Sequence, residues 1–323
     1  MSPTRRVFLI ATAASGLPAR LAWGQPVKPI QHIGWISNDA QPDPFIDGFR
    51  EGLRRLGYVE GTNLILDSRY LPEDPEGQKA AVADLIRKKV RLIVCAGVAL
   101  RAAMVTQDVP VLFVISGDPV ELGIAKSLSQ PGNFTGSTFM SLDIAEKRVQ
   151  LLKEAMPRLR SLAVLSRLRH PGEASERRAT EAAAKPLGIE IAYIPFTLVE
   201  ELDGALDAIR RSRAEAMLVF PENVTISRRA KIVEFALAHR LPSMFGWSEY
   251  VDAGGFMSYG ANQRDTYLRL ATYADRILRG ARPADLPIER PTKFELVVNS
   301  NTAKSVGLVI PASVLLRADR VIN

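Results

Sequence analysis

The 323-residue chain has a single cysteine, Cys95, and three histidines, His32, His170 and His239. One cysteine excludes a disulfide within the chain and any Cys-x-x-Cys motif. The histidines stand far apart and lack ligand spacing, so no metal site is expected from them. No phosphate loop ending in Gly-Lys-Ser/Thr occurs, and no Gly-x-Gly-x-x-Gly turn follows a strand, which leaves nucleotide cofactors without their usual cradle. Gly246-Trp247-Ser248-Glu249-Tyr250 begins like the nucleophile turn of a serine hydrolase, but Tyr250 stands where the second glycine must be. Neither a catalytic residue nor a cofactor is therefore expected. Dense basic runs with interleaved aromatics are also missing, which argues against a nucleic-acid partner.

What is present begins at the N-terminus. Ser2-Pro3-Thr4-Arg5-Arg6-Val7-Phe8-Leu9 sets an arginine pair before an apolar stretch that runs to about Leu17, and Ala22-Trp23-Gly24 follows. The stretch is shorter than the roughly 20 residues that span a bilayer, and Pro18 and Arg20 interrupt it. A basic start, a short apolar centre and small residues two apart make an export signal, here of the twin-arginine type. Residues 1–24 are read as that signal, with cleavage after Gly24 and a soluble product in the periplasm. No cysteine adjoins the cleavage point to carry a lipid. The formal charge is +7; Arg5, Arg6 and Arg20 leave with the signal, so +4 remains, too little to imply a polyanionic partner.

Beyond the signal, short apolar strands alternate with amphipathic helices. Ile33–Ile36, Asn63–Leu66, Leu92–Ala96 and Val111–Ile115 read as strands, with helices at Phe45–Leu56 and Glu76–Lys88. The pattern restarts after Asn133, with strands at Leu162–Leu165, Ile189–Tyr193, Ala216–Phe220 and Leu241–Phe245 and helices at Glu173–Lys185, Leu202–Arg211 and Arg228–Ala238. Continuous apolar runs such as Val111–Ile115 suit parallel strands covered on both faces. Cys95 lies in one of them and reads as a buried structural thiol. Length and restart together predict an α/β protein of two doubly wound, Rossmann-like lobes. In such sheets ligands collect at the carboxyl ends of the strands.

Six polar loops follow strands: 37–43, 97–100, 116–119, 166–171, 221–225 and 246–250. Their backbone N–H groups and hydroxyls could hold a carboxylate, their acids a ligand ammonium. Trp35, Phe45, Phe245, Trp247 or Tyr250 could cover an apolar side chain. The candidate ligand-binding residues are Asn38, Asp39, Phe45, Val98, Ala99, Asp118, Thr138, Glu222, Asn223 and Trp247. Arg167 and Arg169 read as exposed surface residues.

Several stretches resemble a known family over nearly the whole chain. They are Phe49-Arg50-Glu51-Gly52-Leu53-Arg54-Arg55-Leu56-Gly57-Tyr58-Val59-Glu60-Gly61-Thr62-Asn63, Val114-Ile115-Ser116-Gly117-Asp118-Pro119-Val120, Pro131-Gly132-Asn133-Phe134-Thr135-Gly136, residues 250–260, Phe294–Asn299 and Thr302–Leu308. Together they resemble ABC-transporter substrate-binding proteins of the tryptophan-binding type, which have the type I periplasmic binding protein fold. The resemblance implies two lobes joined by a three-segment hinge, a small solute caught by hinge closure, delivery to a membrane permease, and no catalysis. It places the crossings near Ser137–Leu142, Met257–Asn262 and Leu286–Phe294. The lobes are then 30–138 with 260–286, and 139–259 with 287–323. The solute is expected to be an amino acid or a related carboxylate and the receptor a monomer. An enzyme on the same scaffold, acting through Asp39 and Glu222, and a sensory module are the alternatives.

Overall fold

A computed structural model describes residues 29–37, 44–71, 75–97, 100–104, 106, 108–139 and 142–323. The expected signal, with its cleavage point, lies outside the described residues, as do Asn38, Asp39, Val98 and Ala99.

The first sheet is parallel and contains β1 (Gln31–Ser37), β2 (Leu64–Tyr70), β3 (Leu92–Ala96), β4 (Val111–Ile115) and β5 (Phe134–Thr138), in the order β2-β1-β3-β4-β5. Its connecting helices are α1 (Pro44–Arg55), α2 (Pro75–Arg87) and α3 (Leu100–Ala103). The chain continues through α4 (Leu142–Ala155), β6 (Ser161–Arg167), α5 (Glu173–Ala184), β7 (Glu190–Phe196), α6 (Leu202–Ser212) and β8 (Ala216–Val219). Then come α7 (Asn223–Ser227), α8 (Arg229–Ala238), β9 (Ser243–Phe245), α9 (Glu249–Asp252), β10 (Met257–Ala261) and α10 (Gln263–Leu278). The chain ends with β11 (Phe294–Asn299), α11 (Ser300–Ser305), α12 (Ala312–Leu315) and β12 (Arg320–Ile322). The second sheet runs β12-β11-β10-β9-β8-β6-β7, and only the β10–β11 pairing is antiparallel. Its β7-β6-β8-β9-β10 part repeats the strand order of the first sheet, so the two wound halves expected from the sequence are present.

The strands form where apolar runs can be covered on both sides. All five residues of β4 are buried, and Cys95 in β3 is fully buried, where desolvation pushes its thiol pKa up. Helix α1 turns Phe45, Ile46, Phe49 and Leu53 inward at helical spacing. Against that face lies α10, which follows a strand of the other sheet. The two helices approach closely because Gly52 has no side chain: a Cβ there would meet the Ala271 Cβ at 2.5 Å. The Tyr58 hydroxyl, just past α1, donates to Asp275 Oδ1 at 2.7 Å and fastens the far end of the pair.

The polypeptide passes between the sheets three times: after β5, between β10 and α10, and between α10 and β11. The third passage is bonded to β5, the strand that leads into the first. Glu289 N–H donates to the Gly136 carbonyl at 2.8 Å, and Thr138 N–H donates to the Glu289 carbonyl at 2.9 Å. Gly136 itself has φ +147°, and a Cβ there would lie 2.0 Å from the Phe113 carbonyl oxygen of β4.

Several elements were not anticipated, β5 and α10 among them. β5 is built from Phe-Thr-Gly-Ser-Thr, with no apolar run to mark it. It is buried because its hydroxyls are satisfied: Thr135 Oγ1 donates to the Leu286 carbonyl at 2.5 Å, Thr138 Oγ1 to that of Gly117 at 2.7 Å. The 16-residue α10 was also missed, although Asn262 is a sequence-level start signal; its Oδ1 accepts the Asp265 N–H at 3.0 Å as an N-cap.

Candidate functional site

The carboxyl ends of β3 and β4 face those of β6, β8 and β9 across a narrow cavity. Gly97 and Ser116 line it from the first sheet; His170, Pro171, Glu222, Asn223 and Trp247 line it from the second. Phe139 of the first passage and Gln263 and Tyr267 of α10 complete the wall. Five of the six loops singled out in the sequence therefore converge, and residues 38–43 of the sixth are outside the described residues.

The two sides touch. Ser116 Oγ lies 2.6 Å from His170 Nε2. Trp247 meets Phe45 edge-on at 5.6 Å between ring centres and Phe139 at 6.1 Å. Phe45 in turn stacks on Tyr267 at 5.3 Å. The remaining space is about 20 Å³, room for about one water molecule. This is a closed arrangement, and a solute of amino-acid size enters only when the lobes part.

The polar wall is held from behind. Glu222 caps α7, its Oε1 accepting the Thr225 N–H at 2.7 Å. Its Oε2 lies 3.4 Å from Nη1 of Arg167, whose Nε donates to the Thr197 carbonyl at 3.1 Å. Arg167 is only 2% exposed, which corrects its reading as a surface residue; Arg169 is exposed. The reason is adjacency: Arg167 ends β6, and the strand beside it, β8, delivers Glu222 at the same level. Arg148 of α4 donates to the Tyr259 carbonyl at 2.8 Å and sits 3.6 Å from Glu176. Gln263 is 3% exposed, and its side-chain amide nitrogen has no hydrogen-bond partner. A buried donor of that kind costs about 1–3 kcal/mol until a ligand accepts from it.

Of the candidate residues, Glu222, Asn223 and Trp247 line the cavity, and Phe45 reaches it through Trp247. Thr138 lies one layer back beneath Gly117. Asp118 flanks the site, its carboxylate accepting the Val120 N–H at 2.7 Å in a turn. Trp35, Phe245 and Tyr250 are fully buried core residues, the last two stacked at 4.4 Å, and do not cover the cavity. Gln263 and Tyr267 escaped the sequence reading because they come from α10, far along the chain from the loops. Among the described residues no group of three His, Cys, Asp or Glu side chains could hold a metal ion.

Two buried groups, His170 in the wall and Glu176 behind it, are shifted in opposite senses. Burial lowers the His170 pKa to about 4, and burial raises that of Glu176 to about 7. Unfolded His170 takes up its proton below about 6.5, so its contribution to stability is lost as pH falls from there toward 4. Unfolded Glu176 ionises near 4.5, so its contribution is present below that pH and is lost as pH rises toward 7. Each slope is at most about 1.4 kcal/mol per pH unit. Glu176→Gln removes one of the two. Relative to wild type, the variant is expected to gain stability progressively between pH 4.5 and 7, measured by urea unfolding at a series of pH values. A pH-independent difference would contradict the assignment.

Comparison with known proteins supplies a framework for this geometry. Residues 31–322 match a family described as ABC transporter substrate binding protein. A "tyrosine-binding protein" of Clostridioides difficile (strain R20291) is 22% identical over 265 residues, covering 81% of this chain and 76% of the relative. The ABC domain from Streptococcus pneumonia in complex with L-Trp superposes with a TM-score of 0.82 at 23% identity, over 91% of this chain and all of that one. A substrate binding protein with adhesive properties from Clostridium difficile, in its ligand-free, open structure, gives 0.63 at 22% identity, with 91% of this chain and all of that one covered. The fold is thus the two-lobed type I periplasmic binding protein arrangement. Sequence identity is nearly equal in the two cases, so the better match to the liganded structure agrees with the closed lobes seen here.

Proposed function

Because the chain belongs to the ABC transporter substrate binding protein family, we propose that it captures an L-amino acid with an aromatic or large apolar side chain between its lobes and delivers it to a membrane permease. The observation that carries this reading is the wall of the cavity. Trp247, Phe139 and Tyr267 provide apolar surface, while Gln263, Ser116 and Asn223 provide polar atoms beside it. That combination suits a molecule with one apolar end and one zwitterionic end. The ligands named for the relatives, tyrosine and L-Trp, support it.

The lobes of this reading are 30–138 with 260–286, and 139–259 with 287–323, hinged at the three passages. Closure follows from contacts available only when both lobes reach the solute. The family works outside the cytoplasm, and among the described residues no helix is long and apolar enough to cross a membrane. Export to the periplasm with cleavage after Gly24 and a monomeric, non-catalytic receptor complete the proposal.

The test is a thermal-shift screen of the L-amino acids, with calorimetry on those that respond. A solute at a hundred times its Kd adds about 2.7 kcal/mol of stability. It should be recovered chemically unchanged after prolonged incubation. If no amino acid raises the melting temperature, the reading fails. Trp247→Ala removes the ring that touches both Phe45 and Phe139. It is expected to weaken binding about 30-fold, roughly 2 kcal/mol. Unaltered affinity in calorimetry would take Trp247 out of the site.

A further inference from the structure

A second cavity, of about 240 Å³, shares no lining residue with the cleft. The strand that leads into the first passage contributes Gly136 and Ser137 of β5, the second passage contributes Asn262, and the third contributes 289–293. The remaining wall is α10 between Asp265 and Tyr273. We propose that this hinge cavity binds a small organic monocarboxylate and that its occupancy favours the closed lobes.

The charges on the wall set the sign of the ligand. Arg269 is engaged, its guanidinium held by Glu289 at 2.8 and 3.0 Å. Among the described residues the side chains of Arg290 and Lys293 have no ion-pair or hydrogen-bond partner, and they stand three residues apart on the same segment around Pro291. An anion between them gains charge-assisted hydrogen bonds from both. Asp265, in the first turn of α10, faces the same space and disfavours a second negative charge on the ligand. Beside the polar Ser137, Asn262, Thr266 and Thr292 the wall has an apolar part, Leu268, Leu270, Pro291 and the ring of Tyr273, whose hydroxyl is already donated to the Pro287 carbonyl at 2.8 Å. A carboxylate on a compact apolar body matches that surface. The volume, near the roughly 300 Å³ lower bound of ligand pockets, keeps the molecule small. Arg290 and Lys293 are exposed, so the binding weakens as salt rises.

Coupling follows from the architecture. The passages are the parts that change shape when the lobes rotate, so a molecule fitted to the cavity of the closed form binds that form better. By reciprocity it then tightens the hold of the cleft on its own solute.

The experiment is calorimetry on the purified chain with sodium benzoate as probe, and succinate and inorganic phosphate as comparators. Saturable benzoate binding is expected, stronger than that of either comparator and weaker in added sodium chloride. The Arg290→Gln/Lys293→Gln double variant should lose it at least tenfold, while Trp247→Ala should retain it. In wild type, saturating benzoate should tighten binding of the cleft solute about fivefold. Small-angle scattering with benzoate alone should report a smaller radius of gyration. Because this arm uses no cleft solute, it separates failure of this proposal from failure of the cleft reading on which the fivefold effect rests. Absent binding, binding unchanged in the double variant, or equal affinity for phosphate overturns the site. Bound benzoate with an unchanged radius of gyration overturns the coupling.

Discussion

Arg167→Ala is expected to destabilise the protein by about 3–5 kcal/mol, the range for breaking a buried ion pair from one side. Arg167 and Glu222 are 2% and 6% exposed, so the carboxylate loses a buried, charged neighbour. The loss also frees the Thr197 carbonyl that Arg167 Nε holds. Urea unfolding measures the effect. A companion variant distinguishes charge from packing. Arg167→Met with Glu222→Gln removes both charges, keeps an oxygen for the Thr225 N–H, and should recover most of the stability. A loss below about 1 kcal/mol in the single variant would mean that the pair is solvated in solution.

The second large effect is expected at Gly136→Ala. A residue with a side chain resists φ +147°, at a cost of about 1–3 kcal/mol. The new Cβ would also lie 2.0 Å from the Phe113 carbonyl oxygen, and relieving that overlap costs about 1–3 kcal/mol more. The total, about 2–6 kcal/mol, is to be compared with Gly132→Ala. Gly132 has φ +71° but open space where its Cβ would be, so only the backbone term applies. Equal destabilisation of the two variants, in the same unfolding assay, would show that β5 moves away from β4 at no cost.

Much of the fold was legible because its strands announce themselves. Leu92–Ala96 and Val111–Ile115 are apolar throughout, and the structure places strands on those same residues. Helix α1 was readable from the spacing of Phe45, Phe49 and Leu53. β5 was not, because its burial rests on hydroxyls whose partners, the carbonyls of Leu286 and Gly117, cannot be inferred from local pattern. The site divided along the same line. Loops that follow strands can be found from the strands, which brought Glu222, Asn223 and Trp247 into view. Gln263 and Tyr267 depend on α10 leaving the second sheet to pack on α1, a long-range contact with no local signature. Arg167 was misread because charge and a loop position imply exposure on average; only the pairing of β6 with β8 reveals its partner.

The clamp between α1 and α10 has a consequence for biosynthesis. The first sheet begins with β1 at Gln31, yet the helix that covers Phe49, Gly52 and Leu53 is not complete until Leu278 has been made. A nascent chain that has emerged only through β5 therefore carries an uncovered greasy groove, and it must wait for more than a hundred further residues before that groove is sealed. Sealing the first lobe before the second is made is therefore closed to this topology.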